Sequence, residues 1–242
     1  MRTMSQARVK ICCIRSIEEG RLAIRYGAAA LGVVSDMPSG PGVIAERLIG
    51  EITATVPPGV ASFLLTCRQS AAAIIDQQRQ WRTNTIQICD YLPQSEYEPL
   101  RAALPGVALV QVIHVTGEEA IARAVQIAAL VDGILLDSGN PTSMIKELGG
   151  TGRCHDWKVS RRIRESVSVP VYLAGGLRAE NVAEAIETVQ PFGVDVCNGV
   201  RTEGRLDEVK LSAFFGAVRA AAQRQSVGQT PAVAVIQASG LY

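Results

Sequence analysis

Ile134-Leu135-Leu136-Asp137, Val169-Pro170-Val171-Tyr172-Leu173-Ala174 and Gly193-Val194-Asp195-Val196-Cys197 are three apolar, strand-like runs, and a glycine turn follows each of them. The turns are Gly149-Gly150-Thr151-Gly152, Ala174-Gly175-Gly176-Leu177 and Asn198-Gly199-Val200. Glycine lets backbone come within hydrogen-bonding distance of an anion, and successive N–H groups form a concavity that holds phosphate without a basic side chain. A single Gly-Gly pair is ordinarily just a turn. Three such turns after consecutive strands read as one phosphate cradle.

The same strand-then-helix alternation extends upstream. Strand-like runs at Val9–Ile14, Ala29–Val34, Val60–Leu65, Thr85–Cys89 and Ala108–His114 are separated by helical patterns at Ile17–Tyr26, Val43–Thr55, Ser70–Trp81, Ser95–Ala103 and Gly117–Leu130. Ser16 followed by Glu18 and Glu19 has the cap and acids of a helix start, and Gly27 its stop. Downstream, helices are expected over Trp157–Ser166, Ala179–Val189 and from about Leu206 to Gln223. With Gly133–Asp137 this makes eight strand–helix units. Near-continuous apolar strands between helices call for a parallel α/β sheet covered by helices, and eight units close into a (βα)8 TIM barrel. An open doubly wound sheet is the alternative, but no G-x-G-x-x-G follows the first strand. The barrel domain is expected over residues 1–225, with 226–242 a C-terminal extension in which Val233–Ile236 could form an extra strand, a partner-binding tail or a flexible segment.

Composition narrows the function. The chain has 242 residues, 48% hydrophobic and 19% charged, with a net charge of +1. That balance gives no electrostatic case for nucleic acid or a membrane surface. No apolar run reaches about 18 residues and Met1–Lys10 lacks a signal-peptide pattern, so a cytoplasmic location is expected. The six cysteines show no C-x-x-C pair, and His114 and His155 lack partners at ligand spacing, so neither disulfides nor a metal is expected.

A barrel places its active site at the carboxyl ends of the strands, with phosphate on the loops after strands seven and eight. Gly175, Gly176, Asn198 and Gly199 occupy those loops, and Gly150, Thr151 and Gly152 the loop after strand six. Cys12 and Asp137 lie near the carboxyl ends of strands one and six. Period-two alternation puts Lys10 on the same side as Cys12, one layer below, where an ammonium favours thiolate. By the same alternation Cys13 points into the helix layer. A thiol base and a carboxylic acid across a barrel mouth suit an isomerisation, in which one group protonates an oxygen and the other takes a proton from carbon. Asp195 is a further inward candidate, suited to a sugar hydroxyl.

Lys10-Ile11-Cys12, Leu135-Leu136-Asp137, Gly149-Gly150-Thr151-Gly152 with Asp156-Trp157, Leu173-Ala174-Gly175-Gly176-Leu177 with Glu180-Asn181-Val182, and Gly193-Val194-Asp195-Val196 before Gly199-Val200 occur in the order found in a known family. Over about residues 8–220 the chain resembles phosphoribosylanthranilate isomerase. The resemblance implies a (βα)8 barrel of tryptophan biosynthesis that performs a cofactor-free Amadori rearrangement on a small phosphorylated sugar-amine, as monomer or homodimer. It also implies Asp137 as general acid on the ribose ring oxygen and Cys12 as general base for the C2′ proton.

The departures cluster at the other end of the substrate. The family pattern has glycine where this chain has Cys13, and a serine-proline motif followed by an arginine after strand two, where residues 35–42 hold no basic side chain. Ile86-Gln87-Ile88-Cys89-Asp90 keeps a glutamine and loses a histidine, and Ser-Ser-Gly-Val-Glu becomes Cys197-Asn198-Gly199-Val200-Arg201. A charge-assisted bond to a carboxylate contributes roughly 1.5–3 kcal/mol, so its loss weakens anthranilate recognition about ten- to a hundred-fold unless another cation substitutes. Arg15 and Arg201 are the expected substitutes; otherwise the aglycone is not anthranilate. Lys10, Arg15, Gln87, Asp195 and Arg201 thus complete the candidate substrate-binding set. The alternatives are a paralogous isomerase with another amine, or a non-catalytic barrel that binds a phosphorylated ligand.

Overall fold

The computed structural model describes residues 6–38, 40–139, 148 and 152–227. In chain order the repeats are β1 (Arg8–Ile11), α1 (Ile17–Tyr26), β2 (Ala30–Val34), α2 (Glu46–Thr53), β3 (Ala61–Thr66), α3 (Ala71–Trp81), β4 (Thr85–Ile88) and α4 (Tyr97–Ala103). They continue with β5 (Ala108–His114), α5 (Glu119–Ala128), β6 (Gly133–Asp137), α6 (Trp157–Ser166), β7 (Val171–Leu173), α7 (Val182–Val189) and β8 (Gly193–Val196). A two-stranded hairpin, β9 (Arg201–Thr202) and β10 (Arg205–Leu206), precedes the last helix, α8 (Glu208–Val227). Strands β1 to β8 form a closed barrel, β1 pairing in parallel with β8 through Lys10 opposite Asp195.

Alternation along the strands separates two cores. Ile11, Leu31, Leu64, Ile86, Ile113, Ile134 and Val194 point outward into a cluster shared with the helices. Ala30, Phe63, Leu65, Val110, Val112 and Leu135 belong to a second cluster that fills the barrel interior. Both are needed, since a parallel strand between helix and interior is apolar on each face.

Local signals set most of the helix ends. Ser16 accepts a hydrogen bond from Glu19 N at 3.2 Å, and Gly27 closes α1 in the left-handed region at φ 101°. Elsewhere the expected bounds shift. The helix expected from Val43 starts at Glu46, because Gly42 turns at positive φ and Val43 forms a parallel bridge with Val34. The helix expected from Ala179 starts at Val182, after Asn181 Oδ1 accepts from Arg178 N at 2.8 Å and its Nδ2 donates to Gly176 O at 3.0 Å. The first strand ends at Ile11 instead of Ile14, and the β9–β10 hairpin had no sequence signal. Residues 226 and 227 continue α8; the rest of the expected extension, Val233–Ile236 included, lies outside the described residues.

Candidate active site

The carboxyl ends of the strands surround a cavity of about 270 Å³. Cys12 follows β1, Gln87 lies in β4, Asp137 ends β6, Gly175 and Gly176 follow β7, and Asp195, Asn198 and Gly199 lie in and after β8; all line it, as does Gly152. Nine of the expected site residues are therefore brought together. Gly150 and Thr151 lie outside the described residues.

Burial shapes the acid. Asp137 is 8% exposed, and desolvation raises its pKa from 3.8 to about 6 although Ser138 N donates to its Oδ1 at 2.7 Å. A carboxyl so placed keeps its proton well above the usual carboxylate range and can deliver it.

Lys10 is fully buried beneath the thiol of Cys12 and does not line the cavity itself. A Cβ built on Gly32 would lie 3.1 Å from both Cys12 Sγ and Lys10 Nζ, so glycine is what lets the two groups share that side of β2. Lys10 Nζ donates to Asp195 Oδ2 at 2.9 Å. Burial works against the Lys10 ammonium, but Asp195 and then Cys12 outweigh it and hold its pKa above the ordinary value. A fixed cation therefore sits below the cysteine, with Asp195 Oδ1 and Gln87 Oε1 left without partners among the described residues.

The cradle at the other end rests on backbone. Gly175 and Gly176 take φ 81° and 62°, a region open chiefly to glycine. A Cβ on Gly176 would come within 2.7 Å of the Arg153 carbonyl carbon, and one on Gly199 within 2.0 Å of Leu177 O. The loops after β6, β7 and β8 thus interlock at distances no side chain tolerates.

Three expectations need correction. Cys13 does not enter the helix layer. The ladder stops at Ile11, Cys13 turns at φ 61°, and its thiol lines the cavity, hydrogen-bonded to Pro41 O at 3.5 Å. Its contacts with the thiols of Cys12 and Cys197, together with burial, push its pKa up. Arg15 is carried by that turn into a separate surface groove beside α1 and the β9–β10 hairpin, where Nη1 donates to Gly204 O at 3.3 Å. Arg201 lies 7% exposed behind the cavity wall, paired with Glu19 at 2.9 Å. Neither arginine faces the cavity. Arg178, which rims it beside Gly176 and pairs with Glu180 at 3.5 Å, is the one cation among the described lining residues, and sequence reading passed over it.

The histidines serve structure: His114 Nε2 lies 3.2 Å from Cys89 O, and His155 Nε2 2.8 Å from Ser160 Oγ. Burial lowers the pKa of His155 to about 4. Among the described residues no group of three or more potential ligands is arranged to hold a metal, and no helix is long and apolar enough to cross a membrane.

Residues 9–217 match the family described as "PRAI: N-(5'phosphoribosyl)anthranilate (PRA) isomerase". The chain belongs to the phosphoribosylanthranilate isomerase family. It is similar to the N-(5'-phosphoribosyl)anthranilate isomerase of Methanocella arvoryzae, 37% identical over 208 residues that cover 86% of this chain and 95% of the relative. Among solved structures, phosphoribosyl anthranilate isomerase from Thermotoga maritima matches with a TM-score of 0.75 and 28% identity, covering 88% of this chain and 99% of that one. Another phosphoribosyl anthranilate isomerase, solved in complex with reduced 1-(o-carboxyphenylamino)-1-deoxyribulose 5-phosphate, matches with a TM-score of 0.74 and 25% identity, over 88% of this chain and 99% of that one. Within this phosphoribosylanthranilate isomerase barrel, the cavity wall beside β2 and β3 is largely apolar. Val34, Met37, Pro41 and Leu65 line the cavity there without a cation.

Proposed function

We propose that the protein catalyses the Amadori rearrangement of N-(5′-phosphoribosyl)anthranilate, a cytosolic step of tryptophan biosynthesis that needs no cofactor. Asp137 donates its proton to the ribose ring oxygen, the C1′–O bond opens and the nitrogen lone pair forms the Schiff base. Cys12, above Lys10, takes the C2′ proton, and the resulting enolamine tautomerises to the 1-amino-1-deoxyribulose 5-phosphate. The 5′-phosphate lies on the N–H groups of the loops around Gly152, Gly175, Gly176, Asn198 and Gly199, with Gly150 and Thr151 assigned to the same cradle. Asp195 Oδ1 and Gln87 Oε1, both buried acceptors in want of a donor, receive sugar hydroxyls. Every group invoked comes from one chain, so a monomer or a homodimer serves equally.

The observation that carries this reading is the pairing of a buried carboxyl with a pKa of about 6 and a thiol over a buried ammonium in one cavity. A pure phosphate binder has no use for either group. Turnover of phosphoribosylanthranilate generated in situ, followed by fluorescence, tests it: wild type converts substrate, while Cys12→Ser and Asp137→Asn lose more than about a hundred-fold in kcat. Full activity in either variant would refute its assigned role. The apolar wall of Val34, Met37, Pro41 and Leu65 favours a second reading for the aglycone alone, namely an N-phosphoribosyl amine without a carboxylate.

A further inference from the structure

The chain leaves β1 by an unusual route. Cys12 N still donates to Val196 O of β8 at 2.9 Å, but two residues later Ile14 N donates to Gly32 O of β2 at 2.9 Å. Between these bonds the backbone switches neighbours through Cys13 at φ 61°, and the carbonyls of Cys12 and Cys13 have left the ladder. Both are met by one side chain. Arg201 Nη2 donates to Cys13 O at 2.6 Å and to Cys12 O at 3.2 Å, while Nη1 donates to Gly204 O at 3.1 Å. The guanidinium is itself oriented by Glu19, whose Oε1 and Oε2 lie 2.9 and 3.1 Å from Nη1 and whose Oε2 lies 3.1 Å from Nη2. Glu19 is fixed in turn by Arg15 N and Leu206 N, each at 3.0 Å.

We propose that Arg201 is a positioning residue for Cys12, holding through the Cys12 and Cys13 carbonyls the left-handed turn that aims the Cys12 thiol at the substrate. The inference rests on Cys12 being the general base. Two sequence departures then explain each other. Glycine adopts a positive φ without help and cysteine does not; with Cys13 in place, the turn needs a fork that binds two carbonyls and a carboxylate at once, which arginine has and lysine lacks. Arg201 also directly follows the Asn198–Val200 turn, so the clamp ties the base to the phosphate loop.

The test measures kcat and KM for phosphoribosylanthranilate after Arg201→Lys, in the wild-type and in the Cys13→Gly background. Lysine keeps the charge beside Glu19 and loses the fork. In the wild-type background kcat is expected to fall about ten-fold with KM changed less than two-fold, and in the Cys13→Gly background the fall is expected to shrink below three-fold. Equal losses in both backgrounds, or a loss confined to KM, would overturn the proposal. Arg201→Met in the same two backgrounds repeats the comparison without the ion pair; rescue of soluble, active protein by Cys13→Gly is expected, and failure of rescue counts against the clamp. Cys12→Ser run alongside separates the two assignments. If it retains activity, the base is wrong; if it is inactive while Arg201→Lys is unaffected, only the clamp is wrong.

Discussion

At the residue scale Asp137 sets chemistry against stability. Its carboxyl titrates at about 6 in the folded protein against 3.8 in the ordinary case, with burial the leading cause. Between those pH values the unfolded chain has released a proton that the folded chain still holds, so stability falls as pH rises through that window and stays lower above it. At 1.36 kcal/mol per pKa unit the shift amounts to about 3 kcal/mol. Asp137→Asn should therefore be inactive yet more stable than wild type at pH 8 by up to about 3 kcal/mol, with the gap closing toward pH 4. Urea unfolding at both values checks this, and a gap independent of pH would show that the carboxyl is not strained by burial. In the proposed mechanism the same proton is the one delivered to the substrate: kcat/KM should decline above about pH 6 as the acid form is lost, and Asp137→Glu should move that limb. The rim positions of Cys12 and Asp137 were legible because Cys12 follows one apolar strand and Asp137 ends another. Cys13 was not, because period-two alternation holds only while the ladder lasts and this one ends at Ile11.

At the scale of elements the closing seam between β1 and β8 carries a buried ion pair, with Lys10 directly opposite Asp195 in register. Truncating one member leaves the other buried and unpaired, which typically costs about 3–5 kcal/mol. Lys10→Met should destabilise by that amount, and Lys10→Met with Asp195→Leu should recover most of it; thermal unfolding of the three proteins decides. The phosphate loops make a second element-scale prediction. Since a Cβ on Gly199 would lie 2.0 Å from Leu177 O, Gly199→Ala must push the β8 loop away from the β7 loop. We expect KM for the phosphorylated substrate to rise at least about ten-fold while kcat at saturation falls much less, as for lost uniform binding. A lower kcat with unchanged KM would refute that role. The helix start at Ser16 was readable from its cap. The starts at Glu46 and Val182 were not, because a parallel bridge at Val43 and the Asn181 side chain override helical periodicity.

At the scale of the whole molecule the cavity has two unlike ends, glycine backbone toward β6–β8 and apolar side chains toward β2 and β3. Affinity should therefore reside in the phosphate. Removing the 5′-phosphate should abolish measurable turnover, whereas replacing the aglycone carboxylate with hydrogen should change kcat/KM by less than about three-fold, because among the described residues no bidentate partner worth roughly 1.5–3 kcal/mol lines the wall beside β2 and β3. A hundred-fold loss in the second case would mean that a cation reaches the carboxylate after all. The sequence by itself determined the eight-fold barrel and the placing of Cys12, Asp137 and the glycine turns around one cavity, because strand periodicity, glycine turns and strand-terminal residues are local features that a barrel gathers at one rim by a fixed rule. Only the tertiary structure decided where Arg15 and Arg201 go. Their direction depends on Glu19, 182 residues from Arg201 in the chain, and on a left-handed turn at Cys13 that presents two carbonyls to that guanidinium.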